Sequence, residues 1–372
     1  MVEIDSVLPC EEALAAFLAQ EIRALGIEPY WDEVAPGRPN VGASVDLDGA
    51  GRFLVFSGHS DTVPVASGWE TDPFRPTVKD GRLFGLGAIN MKSGLACMLT
   101  AFRMLVTDRS QHRRPGRIGL VVTVDQEGHS LGTRKLLETE YGRCDAMLHG
   151  EHFFGDSPSN YIPLGATGKV LYSVKVKGAA GHALRPQQGG INAIDDAARI
   201  VAALDRLKMK DHELFGRGTV CTLKIDGGYK VYSLVVPEYC EIIITRLTVP
   251  GETIDTTVRD FQDLVESLQL ESSVTVDTPP PAYEPFMLKE DSAVRRAFRS
   301  SYRDVIGREP VFAPHRGIVD ANIFVAEAGI ETIVFGPKGG RHHFPGEFVE
   351  LDSLVPVTET YVETALRYFE ED

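Results

Sequence analysis

Apolar positions along the chain fall into two registers, one running unbroken or alternating over four to ten residues and one recurring at helical spacing. The run Phe53-Leu54-Val55-Phe56 reads as a buried strand that ends at Gly58. Leu14, Phe17, Leu18, Ile22 and Leu25 share one face of a helix over residues 11–25, and Met91 to Leu105 reads as a second helix that begins at the Asn90 turn. Strands follow at Gly119 to Val124 and at Ala146 to Leu148. This alternation of strand and helix predicts an α/β protein whose parallel or mixed sheet is covered by helices on both faces.

The pattern shifts near Gly168. Lys169 to Lys177, Cys221 to Ile225 and Glu241 to Arg246 alternate like half-buried strands, with helical spacing at Asn192 to Leu207 and Thr253 to Leu268. A βαββαβ-like module ends at the linker-like run Thr278-Pro279-Pro280-Pro281, and helical patterns resume at Ser292 to Tyr302 and Val355 to Phe369. The expected organisation is a discontinuous large domain, residues 1–166 and 279–372, interrupted by an α+β insertion at residues 167–278.

Composition narrows the partners. The 372 residues are 43% hydrophobic, enough for sizeable cores. With 38 basic against 53 acidic residues the formal charge is −15, which disfavours nucleic acid. The N-terminal stretch lacks a basic segment followed by an apolar core, and no apolar run approaches a membrane span, so a cytoplasmic protein without membrane contact is expected. Five scattered cysteines fit reduced thiols better than a disulfide frame.

The candidate chemistry begins where the first strand ends. Open α/β sheets place ligands at the carboxyl ends of their strands, and His59 and Asp61 fall there in Gly58-His59-Ser60-Asp61. A metal-binding imidazole needs its second N–H held by an acceptor, a role open to Asp61 two residues on. Glu127 and Glu151 likewise end predicted strands, and His343 lies in a Gly-rich loop after the apolar stretch Glu331 to Phe335.

The segment from Trp69 to Gly94, closing on Gly85-Leu86-Gly87-Ala88-Ile89-Asn90-Met91-Lys92, resembles the M20 metallopeptidase and deacylase family. The likeness continues in order through Val124 to Gly132, Gly150-Glu151, Gly178 to His182, Val236-Pro237, Arg246, Gly336-Pro337 and His343 to Glu347. The resemblance implies a zinc-peptidase-like catalytic domain with an inserted lid and dimerisation domain, and a homodimer acting on an N-acyl amino acid or a small peptide-like molecule. It implies a divalent metal site, zinc ahead of cobalt or manganese and one or two ions, on His59, Asn90, Glu127, Glu151 and His343. It assigns catalytic roles to Asp61, to Gln126 at the general-base position and to His182 as a stabiliser of developing charge. Arg246, His182 and Gly317 are implied in substrate binding.

Three positions depart from the family pattern. Asn90 stands where the family has a bridging Asp, Gln126 where it has a Glu base, and Leu234 where it has an Asn in the inserted domain. A carboxamide cannot take a proton from an attacking water near neutral pH, and its neutral oxygen bridges two cations poorly. His129, His149 and His152 are additional histidines beside the presumed ligands, open to readings as incidental, as altered metal chemistry or as a substitute proton acceptor. The substitutions fit an altered hydrolase, a silent ligand-binding or structural member, or an engineered inactive variant.

Overall fold

Four neighbouring strands, Gly116–Thr123, Arg52–His59, Ala146–His149 and Glu331–Val334, run parallel, so their carboxyl ends meet along one edge of a six-stranded sheet. The antiparallel hairpin Tyr30–Ala35 and Arg38–Asp46 completes the sheet beside Gly116–Thr123. Nothing in the apolar pattern announces this hairpin, because Asp32, Glu33 and Arg38 interrupt it at the sheet's border. The structure is a computed structural model and describes residues 1–370 except 48, 50, 109–114, 186–188 and 232.

The two-residue period of a strand explains how the sheet is covered. Leu54, Phe56 and Gly58 face one side, where Phe56 lies 5.6 Å from the Tyr361 ring of helix Leu354–Glu370 and Gly58 leaves room for Met91 and for Leu95 of helix Ser93–Thr107. Phe53 and Val55 face the other, clustering with Val121, Met147, Leu136, Tyr141 and Phe324. Helices therefore cover both faces of a mixed sheet. Among the described residues no helix is long and apolar enough to cross a membrane.

The chain divides into two compact units, Met1–Leu164 with Met287–Ala313 and Val319–Asp372, and Gly165–Phe286 with Pro314–Ile318. Segment Pro314–Ile318 thus groups with the smaller unit, where Arg316 donates to the carbonyls of Phe215 and Arg217 and the Gly317 carbonyl accepts from Thr167 Oγ1. The smaller unit is an antiparallel sheet in the order Thr219–Gly227, Tyr239–Thr248, Gly168–Lys177, Ser273–Asp277. Val170, Tyr172, Val174, Ile242 and Ile244 form its core with Ala197 and Ile200 of helix Ala193–Ala202 and Phe261 of helix Ile254–Ser267. Tyr172 and Phe261 stack at 4.4 Å.

In the larger unit, helix Ser93–Thr107 starts so close beneath the sheet edge that a Cβ on Gly94 would lie 1.9 Å from the Gly150 carbonyl oxygen. Backbone cannot yield to that contact as a side-chain tip could. Gly94→Ala should cost about 1–3 kcal/mol, the usual range for overpacking, and lower the urea midpoint accordingly. An unchanged midpoint would contradict this packing.

Candidate metal centre

The shared carboxyl edge collects the site. His59 ends its strand, Glu151 lies two residues beyond Ala146–His149, and Glu127 and His343 sit in loops that follow Gly116–Thr123 and Glu331–Val334. Asn90 lies in the turn just before helix Ser93–Thr107. Two buried carboxylates pin these loops. Glu347 accepts from the backbone N–H groups of Gly87, Ile89 and Asn90, each at 2.9 Å. Asp61 accepts from those of Gln126 at 3.1 Å and Glu127 at 2.8 Å, while its own carbonyl lies 2.9 Å from His59 Nδ1. The resemblance supplied no role for Glu347, although Glu347 stands within the matched loop.

Asn90 is the centre of the arrangement. Its Oδ1 lies 3.3 Å from His59 Nε2, which is 3.5 Å from Glu151 Oε1. On the opposite side its Nδ2 donates to Glu127 Oε1 at 2.5 Å and stands 3.0 Å from His343 Nε2, itself 2.9 Å from Glu127 Oε1. Both sides are hydrogen-bonded, the His59 side at the longer spacing, which also suits two ligands of one tetrahedral ion, whose atoms about 2.1 Å from it stand roughly 3.4 Å apart. The donor set of His59, Glu151 and the Asn90 oxygen fits a divalent ion. Among the described residues, as placed, no three His, Cys, Asp or Glu side chains are grouped about a common ion position.

Charge is concentrated there. Burial acts to lower the His59 pKa, but Asp61 and Glu151 outweigh it and hold the imidazole well above its usual value. Burial acts to raise Glu151, but His149, His152 and His59 hold it well below the usual carboxylate range. A buried carboxylate that draws in three imidazoles marks a place suited to a cation. His343 is raised by its hydrogen bond to Glu127.

The remaining sequence candidates lie as follows. The Gln126 side-chain oxygen is buried with no hydrogen-bond partner among the described residues. Asp125, its neighbour, is engaged with Arg38 Nη2 at 2.8 Å and the His129 N–H at 3.0 Å, and His129 itself is exposed. His152 Nδ1 lies 3.1 Å from Glu151 Oε2, and its ring centroid 4.4 Å from that of His342. In the smaller unit His182 is exposed and bridges to Val235 beside Leu234. Arg246, implied in substrate binding, shares the covered face of its strand with Ile242 and Ile244; it is 0% exposed and paired to Glu252 at 2.5 Å. Its Nη2 also donates to the Lys208 carbonyl, while its Nε and Nη1 are buried with no hydrogen-bond partner among the described residues. The strand alternation of Ile242, Ile244 and Arg246 was the available signal.

Comparison with known proteins agrees with this architecture. The chain is 31% identical over 318 residues to a succinyl-diaminopimelate desuccinylase of Methylobacillus flagellatus, covering 84% of this chain and 82% of that protein. Its fold matches the crystal structure of aminopeptidase PepT from Bacillus cereus with a TM-score of 0.80 at 21% identity, covering 100% of this chain and 96% of that one. It also matches a dinuclear metal-binding M20 peptidase of Bacillus subtilis with a TM-score of 0.74 at 15% identity, covering 99% and 95%. Residues 55–367 match the description of peptidase family M20/M25/M40, and with strand ends, loops and donor set arranged as above, the chain belongs to that family.

Proposed function

We propose that the chain is a metal-dependent amidohydrolase that cleaves an N-acyl amino acid or a small peptide-like molecule, with one divalent ion, zinc ahead of cobalt or manganese, where two would be expected. The single observation that carries this reading is the orientation of the Asn90 carboxamide, oxygen toward His59 and nitrogen toward Glu127 and His343. The substrate class comes from the relatives' names, a desuccinylase and an aminopeptidase.

Bound at His59, Glu151 and Asn90, a divalent ion would supply Lewis-acid polarisation of a carbonyl. Asp61 fixes the His59 ring and the Gln126-Glu127 backbone together, so one carboxylate sets both the ligand and the proton-acceptor position. Gln126 can orient a water through its free oxygen but cannot take its proton. Asp125 is held by Arg38 and cannot replace the missing base. His182, exposed on the smaller unit, is the group we assign to reach across the proposed dimer and stabilise charge developing on the carbonyl oxygen of a substrate bound to the other copy. Gly317, whose carbonyl accepts from Thr167 Oγ1, is proposed to contribute backbone at the substrate end. The Gln126 oxygen also favours a second reading, a member that binds such ligands without turning them over.

Asn90→Asp with Gln126→Glu separates the two. The double variant should raise amide hydrolysis across an N-acyl amino acid panel by at least about a hundredfold, the lower range for a general base. Each single change should do far less, because base and ligand act as a unit. An inert double variant would favour the binding reading.

The protein is further proposed to be a cytoplasmic homodimer joined through the smaller unit. All five cysteines are unpaired, as a reducing compartment favours. The border strand Thr219–Gly227 and the segment after it expose Leu223, Ile225, Tyr229 and Val231, an edge that a second copy would cover. Light scattering at micromolar concentration should give twice the chain mass, and Ile225→Lys should reduce it to one. A monomeric unmodified protein would overturn the dimer.

A further inference from the structure

Strand Ala146–His149 carries a buried imidazole that the family pattern leaves without a role. His149 and Ser57 are paired residues on adjacent parallel strands, and two residues further along each chain lie Glu151 and His59. The two-residue period puts Ser57, His59 and His149 on one face of the sheet, and Glu151, beyond the strand's end, brings Oε1 to 3.5 Å from His59 Nε2. His149 is 1% exposed, its Nδ1 lies 3.0 Å from Ser57 Oγ, and its Nε2 has no hydrogen-bond partner among the described residues. Nε2 stands 3.9 Å from Glu151 Oε1, beyond hydrogen-bond reach. Asp320, a second carboxylate that influences this ring, has its oxygens taken by Ser130 and Thr133.

We infer that His149 closes onto this site when an ion binds, so that His59, His149 and Glu151, which as placed do not surround a common ion position, would together hold a single divalent transition-metal ion with the Asn90 oxygen beside them. The inference rests on the metal-dependent reading above and adds to it a ligand that the family's set does not include. A buried ring nitrogen without a partner is costly, and a cation between it and Glu151 satisfies it. With Nδ1–H donated to Ser57 Oγ, Nε2 carries the lone pair that a metal requires. The ring need close on Glu151 by only roughly 0.5 Å to reach the separation of two ligands on one ion. His152, at 3.1 Å from the other Glu151 oxygen, orients that carboxylate.

Two imidazoles and one carboxylate form a set that suits zinc, iron(II) or cobalt(II). His149 supplies a neutral donor in place of the one lost when a bridging carboxylate is an amide, without restoring its negative charge. The Glu127 and His343 side gains no such donor, and there the Asn90 N–H group faces the space an ion would take.

The test is a titration of the metal-stripped full-length protein with cobalt(II) and with zinc, read by d–d absorption and by elemental analysis. One ion per chain is expected. His149→Leu should weaken affinity at least about a hundredfold and Ser57→Ala about tenfold, as loss of a ligand and of its orienting partner do. Glu127→Gln and His343→Ala should change affinity less than about threefold. Should His149→Leu fail to fold, the unmodified protein with 15N-labelled histidine gives the answer, because zinc should shift the His149 Nε2 resonance. An unshifted resonance, no bound ion, or an ion lost with His343 but kept without His149 would overturn the inference. An inert Asn90, Gln126 double variant bears only on hydrolysis and leaves this result standing.

Discussion

The Asn90 carboxamide divides the site, and the Glu347 carboxylate fixes the backbone that carries it by accepting from the N–H groups of Gly87, Ile89 and Asn90. An aspartate there would offer an oxygen to each side. Replacing one oxygen by NH2 turns an acceptor into a donor, so the Glu127 side is closed by short hydrogen bonds while the His59 side meets the Asn90 oxygen at the longer spacing that also suits ligands of one ion. The unequal halves follow from one atom, and the rest of the sheet edge serves to hold that atom in place.

The fold supplies the edge because four parallel strands end together, and side-chain parity decides what they present. Odd-numbered positions on Arg52–His59 and Ala146–His149 carry the apolar cluster around Phe324 at one end and Ser57, His59 and His149 at the other, with Glu151 just beyond the strand's end. The same residues thus join a hydrophobic interior to a charged centre without a change of face. His149 stands at the junction, its ring centroid 6.1 Å from Phe324.

Much of this is legible in the sequence, for physical reasons that also mark where legibility stops. The apolar runs at Phe53 to Phe56 and Gly119 to Val124 announce buried strands because both of their faces are covered, and the ligand candidates fall at their ends. The Tyr30–Ala35 and Arg38–Asp46 hairpin is hidden because a border strand with polar residues loses the signal. That Asn90 meets Glu127 and His343 is implied by the resemblance alone and not by any local pattern, since they lie in loops 37 and 253 residues away, and the hydrogen bonds between them could not be read. The burial of Arg246 follows from the strand's alternation, which places it inward with Ile242 and Ile244. His149 required both parity and the register that pairs it with Ser57.

The central claim, that Asn90 leaves one competent half-site, is tested most directly by crystals of the zinc-loaded protein with anomalous differences collected at the zinc edge. The account predicts one peak per chain, bounded by His59, Glu151 and the Asn90 oxygen. Two peaks of similar height, one of them between Glu127 and His343, would contradict it.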